Sequence, residues 1–216
     1  MKILAEIRPG SEDGPRIGAL RRSDLEAFTG LVERLGDAGA VLVTGTEHAA
    51  AAVAVGIATA AAARGAHVAL LECDPVEPVL AGALGIAERP GLREYLLGES
   101  EAAEVLQPLV LAGPGAGGAT EPLVCVVAGG QLDGSPLLAS ERFRQAMAGL
   151  RASYGLVVIA GPPLERGFAR LHEVARLADT TVACAGRAEL RGASFRRLRR
   201  ALRRLPGRFS GFVAFD

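Results

Sequence analysis

A chain of 216 residues, half of them hydrophobic, has enough apolar material for one α/β core, and its length favours a single domain, 1–216, with residues 1–22 as an N-terminal strand and loop. No uninterrupted apolar run of membrane-spanning length is present, and Cys73, Cys125 and Cys184 lack C-x-x-C spacing, which argues against a disulfide or zinc framework and for buried reduced thiols. The formal net charge is zero but uneven: Arg187 to Arg208 carries nine arginines against Glu189 alone, leaving fifteen basic and twenty-three acidic residues elsewhere, a net of minus eight.

The N-terminal KILAEI reads as a short strand, and with Lys2, Glu6 and Arg8 around it there is no signal-peptide pattern, so the expected location is the cytoplasm. RPGSEDGPRIG follows as a loop rich in glycine, proline and charge. Ser23-Asp24-Leu25-Glu26 has the form of a capping box, and Leu25, Phe28, Val32 and Leu35 recur at helical spacing until Gly36 and Asp37 end the helix.

VLVT, from Val41, predicts a buried strand. Ala49 to Ala63 predicts an alanine-rich helix stopped by Gly65, and HVALLE, from His67, a second strand. Together they form a βαβ unit with parallel strands. Had this unit held a phosphate, its first turn would read G-x-x-x-x-G-K-[ST], in which backbone N–H groups surround the phosphates and the lysine neutralises them. The turn here reads Gly45-Thr46-Glu47-His48-Ala49-Ala50-Ala51-Ala52, and Lys2 is the only lysine in the chain. No displaced lysine elsewhere can replace the missing one.

Asp74-Pro75-Val76-Glu77-Pro78 is a loop stiffened by its two prolines, and Leu92 to Leu97 a short helix ending at Gly98. Gln107 to Pro122, with its AGPGAGGATEP stretch, reads as a surface loop. LVCVVA is a strand, Ala139 to Ala152 an amphipathic helix with Phe143, Met147 and Leu150 on one side, and LVVIA, Leu156 to Ala160, a strand ending at Gly161-Pro162-Pro163. Glu165 to Leu177 reads as helix, TTVACA as strand, Phe195 to Leu205 as helix and FSGFVAF as the closing strand. Uninterrupted apolar strands alternating with helices predict an α/β fold, a mostly parallel sheet covered by helices on both faces.

In the Phe195 to Leu205 helix, Phe195, Leu198, Leu202 and Leu205 make one apolar stripe, leaving Arg196, Arg197, Arg199, Arg200, Arg203 and Arg204 over the remaining surface. That face is either simply solvated or a docking surface for an acidic protein, anionic lipid or nucleic-acid phosphates. Interleaved aromatics and base-reading motifs are absent, which disfavours sequence-specific nucleic-acid recognition. His48 stands at a helix start, where an anion is favoured, but a capping or exposed histidine fits better. His67 and His172 have no partner at ligand spacing, and no catalytic or metal-ligating set is identified.

The succession VLVTGT, alanine-rich helix, RGAHVALLECDPVEP, RPGLREYLLGE, SPLLASERFRQAMAGLRASYGLVVIAGPPL and ADTTVACAGRAEL resembles the cytoplasmic domain of bacterial tyrosine kinases of capsule and exopolysaccharide synthesis. These are deviant-Walker P-loop proteins related to the MinD and ParA ATPases. The resemblance runs from about Glu26 to the C-terminus, and RPGLREYLLGE and the LLASERF to GPP segment are its most specific parts. It implies a P-loop NTPase-like fold. The family's Gly-Lys-Ser/Thr-Thr turn falls near Ala49 to Ala52, in a loop about two residues short; its Asp-x-Asp pair falls at Glu72 and Asp74; its Walker B aspartate falls at Ala160. The clustered C-terminal tyrosines are missing, since only Tyr95 and Tyr154 are present, and the ring-assembly motif E-x-x-R-x-x-R aligns with Glu26 to Val32 with both arginine places lost.

Phosphoryl transfer rests on positioning and on charge neutralisation by lysine and magnesium, so these losses predict a catalytically inactive, tyrosine-kinase-like protein, a regulatory or scaffolding partner in polysaccharide biosynthesis or export. No cofactor is expected. ATP and magnesium enter only as a weak remnant at Gly45, Thr46, Glu72 and Asp74, of which the last two read more readily as ordinary loop acids. Arg196, Arg197, Arg200, Arg203 and Arg204 are the candidate partner-binding residues. The implied partner is a protein, such as a membrane polysaccharide-export or chain-length protein, with self-association and peripheral contact at the inner membrane face also left open and nucleic acid disfavoured. Two alternatives stand beside this reading: a weakly nucleotide-binding ATPase or kinase with a divergent loop, and a ParA- or MinD-like protein that docks DNA or membrane through its arginine-rich helix.

Overall fold

The aliphatic runs and the helical segments between them build one sheet, seen in a computed structural model that describes residues 3–7, 22–45, 49–74, 77–109, 123–130, 136–164 and 167–215. In chain order its first half comprises β1 (Ile3–Ile7), α1 (Arg22–Leu35), β2 (Ala40–Gly45), α2 (Ala49–Ala62), β3 (Val68–Glu72), α3 (Leu80–Leu84), α4 (Leu92–Leu97), α5 (Ala102–Val105) and β4 (Gln107–Leu109). The second half comprises β5 (Leu123–Val126), a 3-10 turn at Leu137–Ala139, α6 (Glu141–Ser153), β6 (Leu156–Ala160), α7 (Phe168–Ala175), β7 (Thr180–Gly186), α8 (Gly192–Leu202) and β8 (Arg208–Phe215). The eight strands lie in the order β1-β8-β7-β2-β6-β3-β5-β4, all neighbours parallel except β4 and β5. The expected α/β architecture is present: one apolar layer packs under α1 and α2, the other under α4, α6, α7 and α8.

The alanine content of α2 determines where it sits. Twelve of its fourteen residues are buried, because a helix hydrophobic all round must be internal, and small side chains let it lie close to the sheet while α1 covers its outer side. Gly56 makes room for that cover: a Cβ there would stand 2.2 Å from the ring of Phe28, which is 2% exposed. Burying one such ring stabilises the fold by roughly 1.5–3 kcal/mol. Among the described residues no helix is long and apolar enough to cross a membrane.

Several element bounds differ from the sequence reading. Helix α1 begins at Arg22, so Ser23 stands inside its first turn and not at the cap; arginine is a good helix former and extends the element by a residue. Gln107–Leu109, read as the start of a loop, is an edge strand too short to show alternation, with Pro108 tolerated there because a terminal antiparallel strand need not use every N–H; residues 110–122 of that loop lie outside the described residues. Helices α3 and α5, four to five residues long, leave no periodic signal. The predicted Glu165 to Leu177 helix is observed as Phe168–Ala175, with 165 and 166 outside the described residues. Helix α6 starts at Glu141 because Ser140 caps it, its hydroxyl accepting from the Phe143 N–H at 3.1 Å. Helix α8 starts at Gly192 and ends at Leu202, so Arg203 is its C-cap and Arg204 lies beyond it.

Candidate functional site

The carboxyl ends of β2, β3 and β6 meet where an open α/β sheet places its ligands. Glu72 pairs with Ala160 in the β3–β6 register. Backbone bonds from Cys73 N–H to Ala160 O (2.8 Å), Gly161 N–H to Val43 O (2.8 Å) and Leu164 N–H to Gly45 O (3.3 Å) continue the ladder past the strand ends. The buried Thr44 hydroxyl donates to Pro162 O at 2.8 Å. Gly45 is glycine for a packing reason: a Cβ there would lie 2.3 Å from the Cys184 carbonyl oxygen in β7. Thr46, with Glu47 and His48, lies outside the described residues.

Glu72 is the central side chain. It is 1% exposed. One carboxylate oxygen accepts from the N–H groups of Val79 (2.6 Å) and Leu80 (2.8 Å), the other from the N–H of Ala128 (3.0 Å). Burial pushes its carboxyl above the usual carboxylate range, Asp74 adds to the rise, and the three N–H donors pull against it. A carboxylate has about four lone-pair positions. With three filled by backbone donors, Glu72 ties the segment after β3 and the end of β5 to the sheet.

The surrounding positions supply methyl groups. Ala50, Ala51 and Ala160, at 3%, 6% and 3% exposure, join Glu72, Asp74 and Gly161 around a cavity of about 10 Å³, the scale of a single water. Asp74 is half-buried and accepts from the Glu77 N–H at 3.3 Å. No cluster of three His, Cys, Asp or Glu side chains capable of holding a metal ion occurs among the described residues. The cysteines are buried and unpaired, and burial raises all three thiols, which disfavours the nucleophilic thiolate.

A second buried acid, Glu94, was missed in the sequence. It accepts from the N–H groups of Gly91 (2.9 Å) and Gly130 (3.2 Å) and meets the Arg93 guanidinium at 3.3 Å. Gly91 allows this close seat on β5, since a Cβ there would stand 2.5 Å from Gly129 N. Leu92 N–H and Arg93 N–H then bond Val127 O (2.8 Å) and Ala128 O (3.0 Å), fixing RPGLREYL against the sheet. The sequence signal was the Gly91-x-x-Glu94 spacing of a capping box. Burial alone would raise the Glu94 carboxyl, but the two N–H donors and Arg93 outweigh it and hold it below the usual range. The stability it adds is therefore present above the ordinary glutamate pKa of about 4.3 and lost as pH falls through the lower folded-state value. The urea midpoints of wild type and Glu94→Gln should be well separated at neutral pH and converge in acid; a gap of constant size would contradict this assignment.

The partner-binding candidates sit on the opposite flank. Arg196, Arg197 and Arg200 on α8, and Arg203 and Arg204 just after it, are all exposed, while Phe195 and Leu198 are half-buried and Leu202 and Leu205 buried, as the stripe predicts. Strands β2 and β6 stand between the β7–β8 pair that α8 connects and β3, which carries Glu72.

No family model and no curated protein matches the sequence. Solved structures do. The chimerical protein CapA2B2 matches with a TM-score of 0.79 at 17% identity, over 99% of this chain and 93% of that one. The kinase domain of the Escherichia coli tyrosine kinase ETK matches with a TM-score of 0.77 at 20% identity, over 100% of this chain and 90% of that one. A cobyrinic acid a,c-diamide synthase from Mycobacterium smegmatis, solved with ADP and magnesium, matches with a TM-score of 0.59 at 17% identity, over 80% and 71%. At these identities the likeness is one of fold: the chain has the fold of bacterial tyrosine kinase domains, within the wider P-loop NTPase-like architecture.

Proposed function

We propose that this chain is a non-catalytic, tyrosine-kinase-like protein that acts as a regulatory or scaffolding partner in capsule or exopolysaccharide biosynthesis or export. The observation that carries the reading is the state of Glu72: the acid at the first place of the acidic pair is enclosed and bonded to three backbone N–H groups. Around it, Ala50, Ala51 and Ala160 offer methyl groups where transfer of a phosphoryl group calls for a cation, a magnesium-holding hydroxyl and a carboxylate. The residues present do not fit ATP and magnesium. The fold shared with the ETK kinase domain supports the polysaccharide setting, and with it a protein partner in the membrane export or chain-length machinery at the inner membrane face.

The function is tested by incubating the purified chain with magnesium and radiolabelled ATP. Tyr95 and Tyr154, both half-buried, are the only tyrosines. No label should be incorporated. Label that disappears on Tyr95→Phe or Tyr154→Phe would show a working kinase and overturn the proposal.

A further inference from the structure

Exposed arginines that form no ion pair with a described residue are concentrated around α8; elsewhere Arg34, Arg142 and Arg176 stand in that state singly, and others are paired. Arg64, Arg93, Arg144, Arg151 and Arg187 each meet a carboxylate: Glu33, Glu94 with Glu99, Glu141, Asp179 and Glu6 respectively. Arg191, Arg196, Arg197, Arg199, Arg200, Arg203, Arg204 and Arg208 are all exposed, and none forms an ion pair with a described residue. Two of them lie over aromatic rings, Arg199 over Phe195 at 5.9 Å and Arg204 over Phe168 at 5.4 Å. Like charges also recur at contact spacing, Arg196 with Arg200 within the helix and Arg199 with the C-cap Arg203, an arrangement that repels and weakens an isolated helix. A surface kept at a cost to its own helix, in a chain of zero net charge, calls for an anion from outside.

The shape of the patch narrows the partner. The apolar stripe of α8 is used inside the fold, so the arginines stand on a convex ridge and not in a groove. Beside it, Phe209 at the start of β8 is one of two large hydrophobic side chains exposed among the described residues, at 37%. It belongs to the same patch, since it packs edge-on against Phe212 at 5.1 Å and Phe212 meets Phe195 of α8 at 5.6 Å. Guanidinium groups matching phosphates, with an aromatic ring at their margin, are the chemistry of a bilayer interface. We infer that the α8 ridge, with Arg208 and Phe209, docks the chain on an anionic lipid surface. This does not depend on whether the Glu72 end is catalytic.

The test is co-sedimentation of the full chain with phosphatidylcholine vesicles containing about one third phosphatidylglycerol, across a salt series, with neutral phosphatidylcholine vesicles and a short DNA duplex in parallel. Binding to the anionic vesicles alone, falling steeply with salt, is expected. The triple variant Arg196→Gln, Arg200→Gln, Arg203→Gln should bind about a hundredfold more weakly with an unchanged melting temperature, and the matching Arg→Lys triple should retain binding. Phe209→Ser should weaken binding while leaving its salt dependence in place. Equal binding to neutral vesicles, no binding to anionic ones, or wild-type binding by the glutamine triple would overturn the inference. DNA binding at salt concentrations where vesicles stay unbound would assign the ridge to nucleic acid and overturn it equally.

Discussion

Glu72→Ala should lower the stability of this chain by about 3–5 kcal/mol, because it leaves buried donors unpaired at roughly 1–3 kcal/mol each. The three donors, on Val79, Leu80 and Ala128, come from two segments that Glu72 alone joins among the hydrogen bonds described, so water entry relieves only part of the loss. In a chain of this size that corresponds to a fall in melting temperature on the order of 10 °C. Glu72→Gln should fall between wild type and alanine, since its amide oxygen keeps one pair of acceptor positions while its NH₂ faces a donor. Asp74→Ala, at a half-buried position, should cost less than about 1 kcal/mol. Thermal melts of the three variants decide the matter. An alanine variant that melts within a degree or two of wild type would mean that Glu72 is not a structural tie.

Which parts of this were legible in the sequence follows from the range of the forces involved. VLVT, HVALLE, LVVIA and TTVACA are strands because each is an uninterrupted apolar run, and a run of that kind can only be buried in a sheet covered on both faces. The stripe through Phe195, Leu198, Leu202 and Leu205 gave the orientation of the arginine ridge by spacing alone. The role of Glu72 was not legible: an acid at a strand end looks the same whether it faces water or N–H groups supplied seven, eight and fifty-six residues away. Gly45 was open to misreading for the same reason, since the strand that requires its missing Cβ lies nearly 140 residues downstream at Cys184. Whether the arginines are neutralised depends on where carboxylates come to rest after folding, which no local pattern encodes. Glu94 is the instructive miss, because its Gly-x-x-Glu spacing was present and local.

The second large effect concerns nucleotide. A lysine on the phosphates and a hydroxyl and carboxylate on magnesium each supply charge-assisted contacts worth roughly 1.5–3 kcal/mol, so losing three of them weakens binding by about three orders of magnitude or more. Ala50, Ala51 and Ala160 cannot replace them, and Glu72 is already bonded on both oxygens. The backbone N–H groups at the start of α2 remain, but without a counter-charge they face a triphosphate beside Asp74 and Glu77, whose charges oppose it. The most direct measurement is an equilibrium titration of the purified chain with Mg-ATP followed by calorimetry. The account predicts no saturable heat up to about 1 mM nucleotide. A saturable, magnesium-dependent isotherm with a dissociation constant of about 10 μM or tighter would contradict it and return the Glu72 end of the sheet to the nucleotide-binding enzymes.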